Sequence, residues 1–202
     1  MIFRMRNINN ARQFMMAAAI SLVPLGCIPK MTIEQIREFQ PEKPQELDRL
    51  NMFLGDWETT GTIKLAMLDE PFATSGRNKA AWSLDGHVLE DVADLDMGPF
   101  GRVSGKTLWT WDPAMGKYRM WWFDTLGETS EVVATFNERT QTWRMKAAGQ
   151  KYGRRTSGRG TIRRIDENTL EWTWNEASAS GLITFARMRG TSRRAPHADQ
   201  RR

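Results

Sequence analysis

His87 follows Asp85-Gly86 and has Glu90 and Asp91 close behind it. A Ser-His-Asp relay would have to recruit this histidine, because the only other one, His197, lies in a basic tail. A zinc or iron centre asks for three or four ligands at matched spacing, and one histidine among scattered acids does not supply them. No Gly-x-Ser-x-Gly elbow, phosphate loop or dinucleotide fingerprint is present. Two carboxylates could do acid-base work, but nothing singles out a pair. These residues imply no metal and no cofactor, and they favour binding over catalysis.

The aromatic residues carry a different chemistry. Trp57, Trp82, Trp109, Trp111, Tyr118, Trp122, Trp172 and Trp174 fall in runs of strand length. Trp109/Trp111 and Trp172/Trp174 are spaced by two, so each pair points to one face of its strand. Turned inward, such residues either fill a core or wall a small-molecule pocket whose indole N–H groups seek partners. On the pocket reading the ligand residues are Trp57, Trp109, Trp111, Tyr118, Trp122, Trp172 and Trp174, with Asp124 as polar anchor. The competing reading of Asp124 is a cap on its strand end beside Thr125 and Gly127. A carboxylate on an inward face must be paired, hydrogen-bonded or protonated.

Residues 108–124 (LWTWDPAMGKYRMWWFD) read as a β-hairpin around a Pro- and Gly-containing turn. Pro113 presets φ for a type I turn, and Gly116 can take the left-handed conformation that ends it. With Pro113 to Gly116 as the loop, Asp112 faces Lys117, and Trp109, Trp111, Tyr118, Met120, Trp122 and Asp124 share one side. A five-residue loop would instead turn Trp121 and Phe123 to that side.

Strand signals continue on both sides of this hairpin. Ten candidates lie near residues 57–65, 75–84, 87–96, 103–111, 118–125, 130–136, 141–148, 157–165, 169–176 and 181–190. Turn chemistry separates them every 8 to 12 or so residues, the spacing of an all-β sandwich or barrel. Asp85-Gly86 has the signature of a two-residue type I′ turn. Short sequential hairpins favour an up-and-down antiparallel meander, and closing it into a barrel removes the exposed edges. Ahead of the strands, Leu47, Leu50, Phe53 and Leu54 have helical spacing and predict a short amphipathic helix ended by Gly55. The expected architecture is a β-barrel over residues 45–192. With 202 residues there is core enough for one domain without staples.

Arg4, Arg6 and Arg12 precede an apolar run from Phe14 to Leu25, which reads as a signal peptide over residues 1–27. The run is too short to span a bilayer, which takes about 20 apolar residues. Leu25-Gly26-Cys27 resembles the end of a bacterial lipobox, although Pro24 and Leu25 depart from its usual residues. Cys27 is the expected lipidation site and membrane link, on the periplasmic side of a bacterial envelope. Residues 28–44 are a Pro-punctuated tether, and 193–202 a disordered basic tail. The net charge of +5 is uneven: residues 31–140 hold 11 basic and 19 acidic side chains, residues 141–202 hold 14 and 5. The high pI comes mostly from leader and tail, a weak basis for a nucleic-acid partner. The basic run from Lys151 to Arg164 reads first as a solvated face, and next as a contact for anionic lipid headgroups.

Four segments resemble a bacterial family: Phe53-Leu54-Gly55-Asp56-Trp57 before Gly61, Leu84-Asp85-Gly86, the hairpin Trp111-Asp112-Pro113 … Tyr118 … Trp122-Phe123-Asp124, and Gly190-Thr191 … Arg193-Arg194. They are similar to domain of unknown function fifteen-seventy-nine, over roughly residues 46 to 194. The resemblance implies a lipocalin-like (calycin) barrel of about ten strands, related in shape to the haem-binding nitrobindins, and brings no functional residue with it. One departure is Ser192, where members often carry Tyr. Haem would need an inward histidine on a late strand, and the strands at 169–176 and 181–190 contain none. The expectation is a hollow barrel holding a small hydrophobic ligand. The alternative is a filled barrel serving as an interaction module, and an enzyme using the same pocket ranks third. A lumen below about 300 Å³ would be too small for a usual ligand.

Overall fold

Alternating buried and exposed residues make each strand two-faced, and ten such strands cover one another's inner faces only by curling shut. The computed structural model describes residues 30–38 and 42–196; the leader, Cys27 and the tail from His197 lie outside the described residues. The strands are β1 (Gly55–Leu65), β2 (Phe72–Ser83), β3 (Val88–Asp96), β4 (Arg102–Asp112), β5 (Lys117–Asp124), β6 (Thr129–Asn137), β7 (Thr142–Lys151), β8 (Arg154–Asp166), β9 (Thr169–Ser178) and β10 (Thr184–Arg194). Each pairs antiparallel with its neighbours in the chain, and β10 returns to β1, which closes the barrel. The central hairpin has the four-residue loop: Asp112 faces Lys117, Trp111 faces Tyr118, and Thr107 faces Trp122. Within the separate unit formed by residues up to Glu42, a short helix α1 (Ile33–Glu38) starts on a capping box. There Thr32 Oγ1 accepts from the Gln35 N–H, and Gln35 Oε1 from the Thr32 N–H.

Three local expectations are corrected. The element before β1 is a 3-10 helix, Gln45–Phe53, not an α-helix. Its buried residues are Leu47, Leu50 and Phe53, and residues three apart line up on one face when there are three residues per turn. Asp85-Gly86 belongs to a four-residue connection, Leu84–His87, between the paired Ser83 and Val88. Here Leu84 and Asp85 take positive φ as well as Gly86, and the His87 N–H closes the turn onto the Leu84 carbonyl. Finally, Arg193 and Arg194 are strand residues, opposite Glu58 and Trp57. The Arg194 guanidinium lies over the Trp57 ring at 4.4 Å and donates to the Leu54 carbonyl, which holds the end of β10 in the sheet.

The 3-10 helix floors one end of the barrel. Phe53 stacks on Trp109 and meets Trp143, each with ring centroids 5.6 Å apart. Trp143, fully buried, also touches Tyr118 and Phe136. Polar tips then fix the helix to the wall. The Trp57 indole donates to the Phe53 carbonyl at 2.8 Å. The Tyr118 hydroxyl donates to the Glu46 carbonyl at 2.7 Å and accepts from Arg49 at 3.2 Å. Tyr118→Phe should therefore cost about 1–2 kcal/mol, since it removes the phenol from both bonds. Hydrogen exchange would report it as faster opening of residues 45–53 than of the strands.

Candidate functional site

Above the aromatic floor the barrel is hollow. A cavity of about 340 Å³ runs from Phe53 and Trp109 towards Met97, Leu126 and Glu128 at the other end. Glycine makes the room. Trp122 lies over Gly105, Trp174 over Gly158 and Gly160, and Trp172 over Gly61 and Gly190. A Cβ built at Gly105 would meet Trp122 ring carbons at 2.2 Å, and one at Gly158 would meet Trp174 at 2.3 Å. The register explains the fit: Gly160 pairs with Trp174, Gly190 with Trp172, and Gly105 is the diagonal neighbour of Trp122. Each indole occupies the space its neighbour's missing side chain leaves, so large rings form a thin wall instead of filling the lumen. Gly105→Ala should drive the Trp122 ring into the cavity, since the three atoms nearest its added methyl all belong to that ring. The expected readout is at least about a tenfold loss of affinity for a lumen probe, roughly 1.4 kcal/mol.

The sequence-predicted residues divide by height. Trp109, Trp122, Trp172, Trp174 and Asp124 line the cavity. Trp57, Trp111 and Tyr118 face inward but do not line it. Trp57 and Tyr118 anchor the floor helix, and Trp111 packs edge-on against Tyr118 at 4.8 Å. Asp124 caps its strand end, as the competing reading had it. Its Oδ1 accepts from the Leu126 and Glu128 backbone N–H groups, each at 2.9 Å, capping the β5–β6 turn. Its Oδ2 accepts from the Trp122 indole at 3.2 Å. The Trp172 indole N–H is buried with no partner.

A polar group on the same wall escaped the reading of the sequence. Lys151 Nζ lies 2.7 Å from Glu128 Oε2 and 3.5 Å from Glu176 Oε2. Ser130 Oγ donates to Glu128 Oε1 at 3.2 Å. Burial would lower the Lys151 pKa, but the hydrogen bond to Glu128 and the charges of Glu176 and Glu128 outweigh it, so the ammonium persists. Glu176 is raised as well: burial lifts its carboxyl above the ordinary 4.5, the lysine opposing and Glu128 and Asp124 adding to the rise. Asp91, elsewhere on the wall, is also raised by burial, against the hydrogen bond from Asn78. Among the described residues no three such groups converge as metal ligands. Strand parity offered a signal, since Glu176 continues the inward series Trp172, Trp174, and Lys151 follows Gly149.

The loops at this end carry apolar side chains in the open: Met67 on β1–β2, Phe100 on β3–β4, Tyr152 on β7–β8, Leu182 and Ile183 on β9–β10. They surround the end of the barrel where the Lys151 group sits.

Comparison with family models gives no match, and comparison with curated proteins gives none either. Solved structures do match. Rv2717c from M. tuberculosis superposes with a TM-score of 0.60 at 16% identity, over 77% of this chain and 100% of that one. The S-type phycobiliprotein lyase CPES from Guillardia theta gives 0.52 at 11% identity, over 82% and 99%. At such identities the likeness concerns the backbone alone, and what it shows is that this chain has the lipocalin-like β-barrel fold.

Proposed function

We propose that the barrel binds a small apolar or amphipathic molecule in its lumen and acts without catalysis. The cavity carries this reading. It is closed below by packed aromatics, walled by Trp109, Trp122, Trp172 and Trp174, and its volume of about 340 Å³ exceeds the floor for ligand sites. That volume lies near the lower limit, so the ligand is small. The exposed apolar loop tips give such a molecule an approach to the same end. On the four sequence segments we assign the chain to domain of unknown function family fifteen-seventy-nine. On its leader we place it at the periplasmic side of a bacterial envelope, held by lipid on Cys27.

Native mass spectrometry of the purified mature protein tests the binding reading. A co-purifying mass that denaturation releases is expected. A bare polypeptide mass that takes up no apolar probe overturns it. Globomycin-sensitive processing that disappears in Cys27→Ser is the result expected for the anchor, and processing indifferent to both would remove it.

A further inference from the structure

We infer that the lumen selects ligands whose head group donates hydrogen bonds, cationic above neutral, and turns away carboxylates. This rests on the reading of the lumen as a ligand site. Four carboxylates line the cavity: Asp91 stands apart with Asn78, while Asp124, Glu128 and Glu176 stand with the single ammonium of Lys151. Their bonds are unequally satisfied. Asp124 accepts two backbone N–H groups and the Trp122 indole. Glu128 has Ser130 on one oxygen and Lys151 on the other. Among the described residues Glu176 has only the long 3.5 Å contact on Oε2, and its Oε1 has no partner, although the residue is just 4% exposed.

An acceptor so buried is expected to hold a donor, because leaving it empty forfeits the hydrogen bond it had in water. Among the described residues the shared lysine is the one donor within hydrogen-bond reach. Rotation about the soft terminal torsion of the glutamate brings either oxygen to the lumen. A ligand ammonium or hydroxyl there would complete the set. An ammonium would also offset the excess negative charge, and its hydrogen bond to a carboxylate is the stronger kind. A ligand carboxylate meets the opposite situation. It adds a further negative charge to a carboxylate-rich wall shielded from water, and the one ammonium that could receive it is engaged by Glu128 and Glu176.

The test uses one tail with three heads: octylamine, octanol and octanoate, titrated calorimetrically into the folded protein at neutral pH. The expected order is amine, alcohol, acid, with amine over acid by about tenfold or more. Glu176→Gln should bring amine and acid to within about threefold of each other, weakening octanol less than it weakens octylamine. Glu176→Met is the companion variant, since an apolar side chain of similar size removes the charge without burying an amide that needs partners. Octanoate binding as tightly as octylamine to the wild type would overturn the inference while leaving a ligand-binding barrel in place. So would an amine preference that survives both variants. If none of the three binds and the purified protein carries no ligand, the binding reading falls and this one with it.

Discussion

Trp143→Ala should lower the unfolding free energy by about 3–5 kcal/mol, the usual range for deleting a buried indole. Trp143 is 0% exposed and joins the floor to the wall, in contact with Phe53, Trp109, Tyr118 and Phe136. Its loss leaves a void among rings held from several strands and from the 3-10 helix, so collapse of any one neighbour cannot fill it. The indole N–H also reaches Met52 Sδ at 3.0 Å, a second tie to the helix. Urea unfolding followed by circular dichroism would measure the change. A loss below about 1 kcal/mol would mean that the floor is not the stabilising core described here.

Lys151→Met should be the other large loss, about 3 kcal/mol near neutral pH, the lower end expected when one member of a buried ion pair is removed. The lower end applies because the Lys151 side chain keeps 19% of its exposure. The variant leaves Glu128 and Glu176 facing each other across an apolar side chain. Its cost should depend on pH with a definite sign. Burial raises the Glu176 carboxyl above 4.5, so its contribution to stability is fully present below 4.5 and is lost as the pH rises through the raised value. Without the lysine the rise is larger, so the gap between wild type and variant should widen with increasing pH and narrow in acid. Adding Glu176→Gln to Lys151→Met should recover much of the loss, and stability measured across pH 4 to 8 or so would show both effects. A pH-independent deficit would point to lost packing of the lysine stem.

Much of the barrel is legible in the chain because period-two alternation is a local property. It survives in each strand without knowledge of the partner, and it placed Trp109, Tyr118 and Trp122 on one face of the Asp112–Lys117 hairpin. Height along the barrel axis is not local. Trp111 and Trp109 differ by one step of the same series, yet one packs at the floor and the other lines the lumen. Trp57 reads like any inward indole until the 3-10 helix supplies the Phe53 carbonyl beneath it. The polar wall was missed for a related reason. Lys151 opens a basic run that resembles a solvated face, and its partners stand 23 and 25 positions away, on a loop and on β9. Only the register across β6, β7, β8 and β9 brings them together. Registry also tells which glycines make room for which indoles, information absent from composition.

The seam between the first strand and the last has a consequence for how the protein comes into being. Trp57 finds Arg194 across nearly the whole length of the barrel sequence, so no ring exists until the final strand has been made. A contact that distant forms late and slowly, after the entropy of a very long loop has been overcome. Until β10 is made, the strands before it have no partner with which to close the ring, so no volume is enclosed. On the proposed binding role, uptake therefore waits for a complete chain, and trimming β10 should abolish it even where the earlier hairpins persist.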